Sequence, residues 1–171
     1  TYQRYLELLG EHNVPRYSVA DGDEVTLHGG VKLRFLHPNK GTVDMLSHND
    51  ASLVLALDYQ RTTMLFTGDL EIVGMLDLLE RTSPEELRAD LLKVPHHGGV
   101  SSFEPRFYEA VSPRWAVICV GPNSFGHPHA EVLQYLSQNG IRWRTPEGGP
   151  ITFYIWWGFL WTMSPAGRGS H

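Results

Sequence analysis

Leu91-Leu92-Lys93-Val94-Pro95-His96-His97-Gly98 is an apolar run that ends in a proline, two imidazoles and a glycine. It belongs to an apolar strand read as Asp90 to Val94, which runs into the polar loop Pro95-His96-His97-Gly98. The same grammar stands on either side. Upstream, Thr62 to Phe66 runs into Thr67-Gly68-Asp69; downstream, Trp115 to Val120 runs into Gly121-Pro122-Asn123-Ser124-Phe125-Gly126-His127-Pro128. A segment with helical spacing of apolar residues follows each: Leu70 to Arg81, Glu104 to Val111 and Ala130 to Gln138. Asp69 and Glu71 fall near the start of the first, where a helix dipole favours negative charge. Polar residues gathered at the ends of strands are how α/β sheets build sites along one edge. The expected class is therefore α/β, a mixed sheet covered by helices.

Working outward, Tyr2, Tyr5, Leu6, Leu8 and Leu9 predict a short helix closed by Gly10 and Asn13-Val14-Pro15. Glu24 to Leu27 and Val31 to Leu36 read as a hairpin turning at Gly29-Gly30, and a polar loop runs from Pro38 to about Asp50. Ser52 to Leu57 should pair antiparallel with Thr62 to Phe66 across a brief link. Arg142 and Arg144 alternate with Trp143 on a strand and so share one face. Phe153-Tyr154-Ile155-Trp156-Trp157-Gly158-Phe159-Leu160-Trp161 predicts a terminal hairpin packed on the sheet, with a base-stacking platform as the other reading. One domain is expected over residues 1–163. Residues 164–171 read as a disordered tail carrying a tag remnant, and both ends read as those of an excised piece.

The 171 residues, 42% hydrophobic and 19% charged, describe a folded chain rather than a disordered one. A net charge of −5 supplies no overall attraction for nucleic acid, so a phosphate partner needs metal ions or a local patch. The single cysteine, Cys119, excludes an internal disulfide and a four-cysteine zinc site, and its apolar neighbours predict a buried thiol. The stretch from Ile151 to Met163 is too short to span a bilayer as a helix.

Asp69, His96 and His127 carry the carboxylate and imidazole groups that Zn²⁺ and Mn²⁺ sites use, each in a cluster whose glycine lets backbone come close. Singly, a Gly-Asp after a strand is more often a turn or helix cap, and a histidine pair is as often structural as functional. Lys93, Ser101 and Ser102 read equally as phosphate contacts or as solvated loop residues. Asn49 and Asp50 read first as residues that bond their own backbone in a turn, with Asn49 also placed to shape a substrate site. His12, His28, His37 and His48 have no comparable setting, and His129 falls in the first turn of a helix.

Taken in order, Asn49-Asp50-Ala51-Ser52-Leu53-Val54-Leu55, Leu65-Phe66-Thr67-Gly68-Asp69-Leu70-Glu71, Leu91 to Gly98 and Asn123 to His129 resemble the metallo-β-lactamase domain of the ComEC-type competence proteins. The resemblance runs from about Thr1 to Phe159. It implies the C-terminal half of an αββα sandwich, and a hydrolase holding two divalent ions, Mn or Zn, in the complete domain. Asp69 is then the carboxylate between the metals, His96 and His127 complete the site, and either His96 or His97 protonates the leaving oxygen. The implied substrate is DNA, degraded as the strand that is not imported. The implied partners are a membrane channel in the same polypeptide and other competence proteins, at the extracytoplasmic face of the bacterial membrane. The family's upstream His-x-(His/Asp)-x-Asp-His run is absent from these 171 residues, so the chain alone is expected to be inactive and prone to self-association. Turnover of a small phosphodiester, lactone or thioester, or a silent module that guides DNA, are the competing expectations.

Overall fold

The structure, a computed structural model, describes residues 1–146 and 149–162. A seven-stranded sheet has its strands in chain order: β1 (Glu24–Thr26), β2 (Lys32–His37), β3 (Val54–Tyr59), β4 (Thr62–Phe66), β5 (Leu91–Lys93), β6 (Trp115–Val117) and β7 (Arg142–Arg144). The first four are joined antiparallel and the last four parallel, which makes the sheet mixed. Helix α1 (Tyr2–Glu11) precedes it. Between the parallel strands run α2 (Ile72–Arg81) and α3 (Pro84–Leu87), then α4 (Pro105–Val111), then α5 (Ala130–Gln138). The α/β class and mixed sheet expected from the sequence are what the structure has.

Strand alternation decides which residues meet the helices. Val54, Ala56, Leu65, Leu92, Val94, Ala116 and Ile118 form one buried cluster with Met75 and Leu78 of α2, Phe107 and Val111 of α4, and Val132 and Leu136 of α5. The crossovers therefore lie on one face, as consecutive parallel strands with a constant crossover hand require. The register Met64–Leu91–Trp115–Arg142 marks the opposite face. There β8 (Phe153–Trp156) and β9 (Phe159–Thr162) form a separate hairpin whose Phe153 ring meets that of Trp115 at 5.7 Å. The hairpin turns at Trp157 and Gly158, both at positive φ, the backbone that a two-residue hairpin link demands.

Three expectations need correction. The third strand begins at Val54, because Ser47 to Ala51 form turns that put Asp50 to other use. The strand at Trp115 ends at Val117, short of the expected Val120. In consequence Cys119 leaves the sheet before the core closes and is exposed, where a buried thiol was expected.

Asp50 holds the start of α2. The residue preceding the helix, Glu71, makes no capping bond; Asp50 Oδ1 accepts the Gly74 N–H at 2.9 Å, and its other oxygen accepts the Ser47 hydroxyl at 2.7 Å. So close an approach needs glycine: a Cβ at Gly74 would stand 2.4 Å from the Asp50 carbonyl oxygen and 2.6 Å from Leu70 Cδ1. Elsewhere, Arg34 Nε donates to Asp58 Oδ2 at 2.7 Å, and Thr63 Oγ1 donates to Asp58 Oδ1 at 2.7 Å. Burial raises the Asp58 pKa, but the hydrogen bonds from Arg34 and Thr63, with the charges of Arg34 and Lys32, outweigh it and hold the carboxyl below its ordinary value.

Gly74→Ala is expected to destabilise the fold by about 2 kcal/mol, since the overpacking cost exceeds the roughly 1 kcal/mol that alanine gains in a helix. A thermal melt should show the midpoint lower by roughly 5 °C, and an unchanged midpoint would contradict the contact with Asp50. Because the folded Asp58 pKa lies below the unfolded one, its stabilisation is present at neutral pH and is lost as pH falls through and below the ordinary carboxylate range. Denaturant melts across that range should show Asp58→Asn weaker by about 1–2 kcal/mol at neutral pH and converging with the parent in acid.

Candidate active site

The ends of β4, β5 and β6 lie side by side because the strands are parallel, and hydrogen bonds between the following loops tie them together. The His96 N–H donates to the Gly68 carbonyl at 3.3 Å, the His129 N–H donates to the Gly98 carbonyl at 2.8 Å, and Thr67 Oγ1 donates to the Lys93 carbonyl at 2.8 Å. Asp69 is held from below as well, its N–H donating to Ser52 Oγ at 3.1 Å.

The loop after β5 is strained. His96 and His97 sit at φ of 42° and 56°, left-handed backbone that costs a non-glycine residue roughly 1–2 kcal/mol each. The Gly68 contact and a bond from the Gly99 N–H to the His96 carbonyl at 2.9 Å hold that geometry. The reward is placement: the two imidazoles face the loops on either side. His97 Nε2 lies 3.7 Å from Asp69 Oδ1, while its Nδ1 bonds the Cys119 carbonyl. That bond requires the proton on Nδ1, which directs the other ring nitrogen at Asp69. The His96 ring is 5.6 Å from the His127 ring, centroid to centroid.

Space for His127 depends on Gly99, where a Cβ would come within 2.6 Å of His127 Cε1. The loop that delivers His127 is braced by Asn123, whose Oδ1 accepts the Phe125 and His127 N–H groups at 3.0 and 3.1 Å. Burial, then the neighbouring His96, His97 and His129, push the His127 pKa down, which favours the neutral imidazole with a free lone pair.

Glu71 is the functional-looking residue that sequence reasoning left as a helix-dipole charge. Its Oε1 accepts the Ser101 hydroxyl at 3.0 Å and the Asn49 amide at 3.4 Å, and lies 2.9 Å from His96 Nδ1. The available signal was the spacing Asp69-Leu70-Glu71 at a strand end, which puts two carboxylates on one turn. Lys93 extends to the same place: its ammonium is 3.5 Å from Asp69 Oδ1 and donates to the Gly68 carbonyl.

Asn49, Asp69, Lys93, His96, His97, Ser101 and His127 thus share one rim. Ser102 does not: it is fully buried, so the structure supports neither the phosphate contact nor the solvated loop position read from the sequence. His129 is the residue before α5, and its N–H serves the loop tie to Gly98. His37 is also buried, bonded through Nδ1 to the Ser52 carbonyl at 2.9 Å, with its Nε2 3.7 Å from Asp77 Oδ2.

Among the described residues no group of three or more His, Cys, Asp or Glu side chains is arranged to hold a metal ion. The donor chemistry is of the right kind, but the groups are engaged with one another: Asp69 with Lys93 and His97, and His96 with Glu71. The described rim does not by itself fit the two-metal centre that the resemblance implies. What it offers is a neutral imidazole, a carboxylate-held second imidazole and an ammonium converging on one opening.

No family model matches the chain. It is 33% identical to ComE operon protein 3 of Bacillus subtilis over 153 residues, 88% of this chain and 19% of the relative. It is 32% identical to the competence protein ComA of Neisseria gonorrhoeae over 126 residues, 72% of this chain and 18% of that protein. A solved structure from Parabacteroides distasonis, described as a candidate metal-dependent hydrolase, aligns over 81% of this chain with a TM-score of 0.49 and 16% identity. The chain spans about a fifth of the length of the curated relatives it matches. Over that span it belongs with the ComEC-type competence proteins.

Proposed function

We propose that this chain forms one side of the active site of a metal-dependent phosphodiester hydrolase, a nuclease that degrades the non-imported strand during DNA uptake. The observation that carries the reading is the convergence of Asp69, His96, His97, His127 and Lys93 on one rim, at the cost of two consecutive left-handed histidines. Strain of this kind persists where the surroundings enforce it, and it clusters at sites that use it. The competence proteins among the relatives support DNA as the substrate and the membrane machinery as the setting.

In this reading Lys93 contacts a phosphate oxygen, with Asn49 and Ser101 beside it. His97, oriented by the Cys119 carbonyl and Asp69, is in its imidazolium form the proton donor to the leaving oxygen, through Nε2. Divalent ions, Mn²⁺ or Zn²⁺ and two per complete domain, belong to the proposal, with the missing donors supplied from outside this chain. The domain then works on the extracytoplasmic face, attached to a channel in the same polypeptide; no described helix of this chain is long and apolar enough to cross a membrane. A silent DNA-guiding role is the second reading, favoured by the Lys93 ammonium that already neutralises Asp69.

The deciding assay measures cleavage of labelled single- and double-stranded DNA by a form extended to the relatives' full domain, with and without Mn²⁺ or Zn²⁺. Metal-dependent cleavage reduced at least about 100-fold by Asp69→Ala is expected. No cleavage with metal bound supports the guiding role, and preferential turnover of a small phosphodiester, lactone or thioester moves the substrate assignment. Gly99→Ala is a sharper probe of geometry. The added methyl displaces the His127 ring, so cleavage should fall roughly 10- to 100-fold while the thermal midpoint moves little. Full activity with alanine at position 99 would remove His127 from the mechanism.

A further inference from the structure

The terminal hairpin has two unlike faces. Phe153, Ile155 and Leu160 point inward, whereas cross-strand partners Tyr154 and Trp161, and Trp156 and Phe159, stand on the outer face and are exposed. Packing on the sheet was the favoured expectation for this stretch, and it describes only the inner face. Four large aromatic side chains on one outer surface are more than folding this hairpin requires.

Beside this surface runs an open cleft of about 370 Å³ between the hairpin, the start of β6 and the length of β7. Arg114, Arg142, Arg144, Trp115, Phe159 and Trp161 line it, and among the described residues no carboxylate does. The guanidinium carbons of Arg142 and Arg144 lie 5.3 and 5.0 Å from the centre of the Trp115 ring, so both are held over an aromatic face. Phe159 also borders a second cleft, of about 530 Å³, with Arg61 and Trp157. Among the described residues none of these four arginines takes part in an ion pair, and Arg144 Nε is buried without a hydrogen-bond partner. On a chain of net charge −5 this is a concentrated cationic patch.

We propose that this arginine and aromatic cleft binds single-stranded nucleic acid, with the backbone phosphates on Arg114, Arg142 and Arg144 and unpaired bases against Phe159 and Trp161. Interleaved cations and rings in a concave track match the alternation of phosphate and base along a single strand, whereas paired bases offer no free faces to stack. A bilayer surface also attracts tryptophan and arginine, but it is flat and does not enter a cleft in which the cations lie behind the aromatics. None of the residues lining this cleft belongs to the histidine rim, since it runs along β7 from Arg142 to Arg144 beneath the hairpin.

The test is fluorescence anisotropy of a labelled oligothymidine titrated with the 171-residue chain in EDTA at low salt, which removes any metal-dependent contribution. Saturable binding is expected, at least about 5-fold tighter than for a duplex of equal length. Arg142→Ala with Arg144→Ala should weaken it about 10-fold or more and flatten its salt dependence by roughly 0.7 logarithmic units per lost phosphate contact. Trp161→Ala, a change at an exposed position, should weaken it about 5-fold or more, while Tyr17→Ala, exposed elsewhere, leaves it unchanged. Circular dichroism melts confirm that each variant folds, and if the arginine pair does not, Arg114→Ala carries the same expectation. Absent binding, equal affinity for duplex, or indifference to these substitutions overturns the proposal. So does binding to vesicles with anionic lipid that the oligonucleotide does not compete away.

Discussion

The backbone ties between neighbouring loops, His96 to Gly68 and His129 to Gly98, are the constraint on which the site depends. Parallel strands deliver their carboxyl ends to a common edge, but strand ends alone do not fix where loop side chains point. The ties do so by having a carbonyl of each loop accept an N–H of the next. With Gly68 accepting from His96 and Gly98 from His129, the chain at His96 and His97 lies in left-handed backbone, and both imidazoles face the rim. Glycines at 98 and 99 are part of the same arrangement, because side chains there would meet Pro128 and His127.

Electrostatics follow from that geometry. Two carboxylates, Asp69 and Glu71, stand at the opening with one ammonium and three imidazoles. Lys93 is mostly buried beside Asp69, and its bond to the Gly68 carbonyl keeps it there. With that ammonium 3.5 Å from its Oδ1, Asp69 enters any reaction already paired. His127 is pushed the other way, by burial and by its neighbouring imidazoles, and stays a neutral lone-pair donor. Carboxylate and imidazole are thus prepared for different parts, a division set by surroundings rather than by residue type.

Much of this was legible in the sequence. Apolar runs ending at Asp69, at His96 and shortly before His127 marked three strands, and apolar spacing marked α2, α4 and α5. What stayed hidden depends on contacts between residues far apart in the chain. Asp50 caps α2 from a distance of 24 residues, through a bond that only the fold creates. Glu71 gathers Asn49, Ser101 and His96 from three separate segments. Ser102 and Cys119 were misplaced for a related reason. Local polarity predicts neither a hydroxyl swallowed by the core nor a thiol that leaves the strand two residues after it ends.

The two faces of the sheet explain where the rim opens. Helices cover the face of Val54, Leu65, Leu92 and Ala116, whereas Leu55, Leu57, Met64 and Val117 on the other face are only partly buried, and Phe66 is exposed. Strand alternation puts Lys93 and Arg144 on that second face, so the Lys93 ammonium comes to Asp69 from the side without helices. Parallel strands are ordinarily covered on both sides. An apolar layer packed against Leu57, Met64 and Phe66 would meet the rim from the direction of Lys93.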